Sequence, residues 1–178
     1  MTWGVLDRWR RWCRRRPRAV GLRSVDESVL ARLVGAALAD AAPDEVTPAL
    51  GRGHRWGPER IEWLRRFHRD RRPGLNGPLG EATWAVTADG DVVGAVRLKR
   101  TAEPDVLETG IWLTLSARGK GVARRAMAEV LEQAKAAGAH EVRADTSEHN
   151  RPAIAVLGAL GFDCATRDGR VFAVRRLG

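Results

Sequence analysis

Apolar positions along the chain follow two different periods. Ala19 to Leu22 form a short apolar run that predicts a strand. Ser24, with Glu27 three residues on, has the capping-box pattern of a helix start. Val29, Leu30, Leu33, Val34, Ala37 and Leu38 then recur at helical spacing and predict one apolar face. Pro43, Pro48, Gly51, Gly53 and Gly57 predict a loop over residues 42–57. Pro58 suits the first turn of a second helix, whose apolar side is Ile61, Leu64 and Phe67. Residues 72–80, with Pro73, Gly74, Gly77 and Pro78, predict a further loop.

The period then changes to two. Thr83 to Thr87 alternate, Ala88-Asp89-Gly90-Asp91 has hairpin-turn chemistry, and Val92 to Leu98 read as the returning strand. Leu107 to Leu115 predict another strand. Ala123, Met127, Val130, Leu131 and Ala134 restore the helical period up to Gly138, a natural terminating residue. Glu141 to Asp145 predict a short strand, and Pro152 opens a helix with Ile154, Val156, Leu157 and Leu160 on its apolar side. Phe162 to Thr166 and Val171 to Arg175 predict a closing hairpin around Asp168-Gly169. The order β-α-α-β-β-β-α-β-α-β-β predicts an α/β (α+β) protein, with a mixed, mostly antiparallel central sheet flanked by helices.

A length of 178 residues suits one domain with its own core. The longest uncharged apolar run, Leu33 to Ala39, falls far short of the ~18 residues of a membrane span. No apolar segment follows the basic N-terminus, so the expectation is a cytoplasmic protein without a secretory signal. Cys13 and Cys164 lie in neither a CxxC nor a His-flanked pattern, so neither a disulfide framework nor a metal site is expected.

The net charge of +9 raises the question of a nucleic-acid partner. Residues 1–23 hold eight arginines against one acid, whereas the remainder holds 23 basic and 21 acidic residues. The basicity therefore belongs to a tail, residues 1–17, ahead of a domain over residues 18–178. Val5, Leu6, Trp9, Trp12 and Cys13 stand at helical spacing among those arginines. Two readings stay open: an amphipathic helix for an acidic partner such as ribosomal RNA or an anionic membrane, or a solvated block of like charge.

The chemistry concentrates at the junction Arg118-Gly119-Lys120-Gly121-Val122-Ala123-Arg124, between a predicted strand and a predicted helix. Glycines at 119 and 121 permit a tight turn and close approach of the backbone to a ligand. The following helix start offers N–H groups and a dipole that favour an anion, and Arg118, Lys120 and Arg124 add positive charge. The spacing matches neither a Walker A loop nor a GxGxxG fingerprint, which argues against a nucleoside triphosphate or a dinucleotide.

This junction resembles the R-x-x-G-x-G/A signature of the GNAT N-acetyltransferases, and Asn150 to Phe162 (NRPAIAVLGALGF) is similar to the family's N-x-x-A-I…L-G-F segment. The resemblance covers residues 19–178 and is closest in feel to the branch that acetylates N-termini of ribosomal proteins. It implies a GNAT-like acyl-CoA N-acyltransferase fold and acetyl-CoA as cosubstrate, with no metal. It further implies that Arg118, Gly119, Lys120, Gly121, Val122, Ala123 and Arg124 take the pyrophosphate and that Leu113 offers main-chain groups to the pantetheine and the thioester oxygen. Asn150 would bond the pantetheine arm. Glu108, in Glu108-Thr109-Gly110-Ile111-Trp112, occupies the place of a catalytic base that relieves the protonated amine of its proton. Asp145 and Glu148 are further carboxylate candidates. Many relatives carry a Tyr seven residues after the Asn as general acid; here Leu157 stands there and the chain has no Tyr at all. A water, Ser147 or unassisted departure of the thiolate would then serve.

The implied acceptor is a primary amine on a protein N-terminus or a small molecule. In the first two helices and their loop, His54, Trp56, Glu59, Trp63, His68 and Asp70 are candidates for the acceptor side. Trp56 and Trp63 suit either a slot for the acceptor or core packing. The many arginines of this region tilt the expectation away from polycations. A non-catalytic, acetyl-CoA-binding regulatory protein remains the alternative, and a monomer or homodimer is expected. Contact of the basic tail with nucleic acid or the ribosome is a further partner expectation.

Overall fold

A computed structural model describes residues 16–50 and 54–178. Its elements are β1 (Val20–Ser24), α1 (Glu27–Asp40), α2 (Pro43–Val46), α3 (Pro58–Asp70), β2 (Glu81–Ala88), β3 (Asp91–Arg100), β4 (Val106–Leu113), α4 (Val122–Ala136), β5 (Glu141–Ser147), α5 (Arg151–Ala159), β6 (Asp163–Arg167) and β7 (Arg170–Arg176). One-turn 3-10 helices cover Gly74–Asn76 and Leu115–Ala117. The expected tail helix over residues 5–13 lies outside the described residues.

The seven strands form one sheet in the order β1-β2-β3-β4-β5-β7-β6. All neighbours are antiparallel except β4 and β5, which pair in parallel across α4, as a strand–helix–strand connection requires. Alternation along the strands divides the core into two layers. Val86, Val96, Leu98, Leu107, Leu113 and Val142 meet Val122, Met127, Val130 and Leu131 of α4 on one face. On the other, Ala85, Val92 and Ala95 meet Leu30, Leu33, Val34 and Ala37 of α1 and Leu64 of α3.

Local chemistry corrects three expectations. Helix α1 is capped by Asp26 and not by Ser24: the Val29 N–H donates to the Asp26 carboxylate at 2.7 Å. Glu27, freed from a capping box, pairs instead with Arg69 and Arg72 and joins α1 to the end of α3. Within the expected loop 42–57, Pro43 starts the one-turn helix α2, whose first turn carries Asp44 and Glu45 against the helix dipole. A single turn shows no period, so the pattern misses it. The strand expected to run to Leu115 stops at Leu113, where Thr114 and the 3-10 turn take the chain off the sheet.

Two hairpins follow the turn chemistry closely. Asp89 and Gly90 both have positive φ (49° and 90°), as do Asp168 and Gly169 (50° and 75°). Turns of that hand match the twist of the flanking strands.

Candidate active site

The β4–β5 pair is short. Only Val106, Leu107 and Glu108 register with Glu141, Val142 and Arg143, and beyond them the two strands part. The Thr114 N–H donates to the Val93 carbonyl at 2.9 Å, which fixes the alternation along β4. Main-chain groups of Ile111 and Leu113 consequently turn away from β3 and face the gap. The expected Leu113 position is thus at the mouth of an opening in the sheet. Its carbonyl accepts from Arg118 Nε and Nη2 at 3.2 and 3.0 Å, so the group Leu113 can offer a ligand is its N–H.

The chain then enters α4 through Gly119 (φ +72°) and Gly121 (φ +77°), conformations that L side chains rarely adopt. No atom lies within 4 Å of where a Cβ would stand at either glycine, so the space above the turn is open. Gly121 caps α4 without any side-chain hydrogen bond, and the first intrahelical bond is the Arg125 N–H to the Gly121 carbonyl. The N–H groups of Val122, Ala123 and Arg124 therefore point out of the helix end with no helical acceptor. Lys120 and the exposed Arg124 flank them.

Arg118 is engaged within the chain. Besides the Leu113 carbonyl, its guanidinium holds both oxygens of Glu45 on α2, at 3.2 and 2.5 Å. The Ser116 N–H donates to Asp40 at the end of α1, at 2.9 Å. The loop is thus pinned to the α1–α2 corner by side chains on both sides.

Asn150 is the N-cap of α5. Its Oδ1 accepts from the Ala153 N–H at 3.2 Å and its Nδ2 donates to Thr146 Oγ1 at 3.1 Å. The side chain fixes the β5–α5 turn on the far side of the gap. Leu157 is buried in the core with Phe162, so the place of the missing Tyr is filled by packing. Ser147, at the end of β5, accepts from the His149 N–H at 3.2 Å, and its own hydroxyl hydrogen remains a donor. Asp145 is engaged with Arg170, and Glu148 lies 3.7 Å from His149.

Glu108, Gly110 and Trp112 project from β4 on the face that carries α1 and α3, opposite Leu107, Thr109, Ile111 and Leu113. Glu108 is 38% exposed, and one of its oxygens meets Arg97 Nη2 at 2.5 Å. Among the described residues its other oxygen has no partner. Pattern reading missed Arg97, although a charged residue inside the apolar strand Val92–Leu98 is a signal. It also missed Gly94. A Cβ there would fall well inside contact of the Trp112 carbonyl oxygen and 2.8 Å from Leu113 Cδ2, so β3 can approach β4 at this point only because residue 94 has no side chain.

On the acceptor side, Trp56 is an anchor: its indole N–H donates to the Ala41 carbonyl at 2.9 Å. Trp63 stacks on Phe67 with ring centroids 4.8 Å apart, and both remain partly exposed on α3. His54 and Arg60 hold the Asp44 carboxyl below its usual range. His68 is buried at 1% exposure with Nδ1 3.0 Å from Thr83 Oγ1. Burial, with Arg71 adding to it, pushes its pKa down from 6.5 to about 4, so the ring is neutral. No cluster of His, Cys, Asp or Glu suited to a metal occurs among the described residues. Nor is any described helix long and apolar enough to cross a membrane.

A sheet parted at its one parallel pair, with a glycine-turned ring of main-chain donors at the parting, is the architecture of an α/β acetyltransferase. The chain belongs to the acetyltransferase (GNAT) family, whose family model matches residues 47–162. Mycobacterium smegmatis RimJ, solved in complex with a CoA disulfide, superposes with a TM-score of 0.69 at 21% identity, covering 88% of this chain and 81% of that one. RimL, a ribosomal L7/L12 alpha-N-protein acetyltransferase solved with coenzyme A, gives 0.66 at 16% identity over 91% and 96%. The GNAT domain of S. lividans PAT gives 0.65 at 20% identity over 89% of each chain. At these identities the likeness concerns the fold. Comparison with curated protein sequences gives no match.

Proposed function

We propose that this protein binds acetyl-CoA in the β4–β5 gap and transfers its acetyl group to a primary amine, on a protein N-terminus or a small molecule. The observation that carries this is the set of outward N–H groups at residues 122–124, reached through two left-handed glycines and opening beside the parted strands. Main-chain donors fixed in place suit a pyrophosphate, because they need no reorganisation on binding. The Leu113 N–H, facing the gap, suits the thioester oxygen, on which charge develops as the amine attacks. Glu108, on the acceptor face, takes the proton of the incoming ammonium, directly or through a water. As the tetrahedral intermediate collapses, the nitrogen gives up its second proton to water, and the departing thiolate receives one from water or through Ser147, since no Tyr is present. That the RimJ and RimL structures hold CoA supports the cosubstrate. The protein is read as a cytoplasmic monomer or homodimer.

A second reading, a regulatory protein that binds acetyl-CoA without turnover, draws on Leu157 being committed to the core and Glu108 to Arg97. Calorimetry with acetyl-CoA tests the shared part of both. Transfer of radiolabelled acetyl to peptides with free N-termini and to a panel of small amines separates them. Glu108→Gln is expected to lower kcat by about 100-fold, in the range of general-base catalysis, with unchanged acetyl-CoA affinity. Binding with no transfer to any acceptor supports the regulatory reading.

A further inference from the structure

We propose that Arg97 is a positioning residue for the transfer: it holds one oxygen of Glu108 and turns the other towards the acceptor amine. The proposal rests on the catalytic reading above and goes further, because neither motif of the chain reaches β3. Arg97 stands opposite Gly110 in the β3–β4 register, and Glu108 lies on the same face of β4 two residues away. The Arg97 side chain crosses over Gly110 to reach it; a Cβ at position 110 would lie 3.3 Å from Arg97 Nε. One arm of its fork, Nη2, meets Glu108 at 2.5 Å, and the other, Nη1, lies 3.4 Å from Glu81 on β2.

Glu81 gives the arrangement its rigidity. It is 3% exposed, and a carboxylate so buried must be matched by positive charge. Arg71 meets it at 2.7 Å from the end of α3, and the Arg71 guanidinium lies 3.6 Å over the Phe67 ring. A continuous line therefore runs from the partly exposed Trp63–Phe67 pair through Arg71, Glu81 and Arg97 to Glu108. Glu81 at its middle is buried, Arg71 and Arg97 are partly exposed, and the outer carboxylate is half-exposed. Two arginines and two glutamates balance, so the line is neutral until an ammonium arrives at Glu108. A guanidinium can serve two carboxylates at once; a lysine ammonium, a single point of charge, cannot do so from this distance. The same line links the aromatic surface of α3, where an acceptor side chain would rest, to the carboxylate that meets its amine.

The test is steady-state kinetics on wild type, Arg97→Gln, Arg97→Lys, Glu108→Gln and the Arg97→Gln/Glu108→Gln double variant. The acceptor is whichever of a free-N-terminus octapeptide, spermidine, kanamycin and free amino acids has the highest kcat/KM. Arg97→Gln is expected to lower kcat by about 10- to 100-fold, a part of what a general base supplies, with KM for acetyl-CoA within about two-fold of wild type. Arg97→Lys should recover part of the loss. In the Glu108→Gln background, Arg97→Gln should have no further effect on kcat, because it acts only through that carboxylate. Effects that multiply in the double variant would overturn the proposal, as would a loss in kcat matched by an equal rise in KM for acetyl-CoA. Thermal melts of all variants identify a folding defect, and if Arg97→Gln fails to fold, the comparison is made with Arg97→Lys. Calorimetric binding of acetyl-CoA with no transfer to any acceptor would overturn the proposal along with the catalytic reading, while leaving the cosubstrate site standing. Failure to bind acetyl-CoA would instead remove the site itself.

Discussion

Gly121 offers the sharpest test of the cradle, because its two possible costs can be separated. At φ +77°, with no atom within 4 Å of where a Cβ would stand, alanine meets strain but no clash. A left-handed L residue costs about 1–2 kcal/mol. For a chain of this size that lowers Tm by about 2–8 °C. Glutamate carries the same strain and also places a carboxylate where two phosphates are proposed to lie. Two like charges about 4 Å apart repel by about 1 kcal/mol in water and about 4 kcal/mol near a protein surface. At 1.4 kcal/mol per decade, Gly121→Glu should bind acetyl-CoA about 5- to 1,000-fold more weakly than wild type. Gly121→Ala should melt like Gly121→Glu yet retain most of the affinity. Calorimetric titration of acetyl-CoA into all three proteins, with melts alongside, reads both quantities. Wild-type affinity in a folded Gly121→Glu protein would refute the placement of the pyrophosphate at the start of α4.

Two further predictions concern stability. His68 is neutral in the fold, with its pKa lowered to about 4 from 6.5, so the unfolded chain binds the extra proton as pH falls through that window. Stability should be full above pH 6.5 and lower by about 2–3 kcal/mol at pH 4.5, with the loss nearly absent in His68→Gln. Urea titrations at pH 7 and 4.5 measure it, and an equal loss in the variant would show that another group is responsible. The ion-paired Glu27, its carboxyl lowered from 4.5 to about 2 by Arg69 and Arg72, adds stability above pH 4.5 and loses it only as pH falls from there toward 2, below the His68 range. For Gly94→Ala, the added methyl runs into the Trp112 carbonyl and Leu113 and forces β3 from β4. The expected cost is about 3 kcal/mol, with a fall in Tm of about 6–12 °C and weaker acetyl-CoA binding; a melt within about 2 °C of wild type would contradict it.

Much of the architecture is legible in local pattern. The helical faces of α1 and α4, the two hairpins with Asp-Gly turns and the order of elements along the chain all follow from periodicity and turn chemistry, which depend on a few neighbouring residues. The exceptions are informative. Ser24 and Asp26 are both good caps, and Asp26 prevails while Glu27 is drawn into its pairs with Arg69 and Arg72, more than 40 positions away. Helix α2 is one turn long and leaves no periodic trace.

The candidate site divides in the same way. Gly119, Gly121 and the helix that follows are written in the sequence, because a left-handed turn needs glycine and a helix start exposes N–H groups wherever it occurs. The Asn150 cap of α5 is local too, made to Ala153 three residues on, whereas that Arg118 faces Glu45 and that Leu157 is core are decided by what lies opposite each side chain. Local sequence settles which segments bend, cap and alternate. Only the assembled fold parts β4 from β5 after Glu108, lets β3 close at Gly94 on the mouth of that gap, and sets Arg97 and Glu81 behind the carboxylate. The difference is one of range. Turn and helix preferences are settled within a few residues, whereas a gap between strands and a line of paired charges exist only once distant segments are brought side by side.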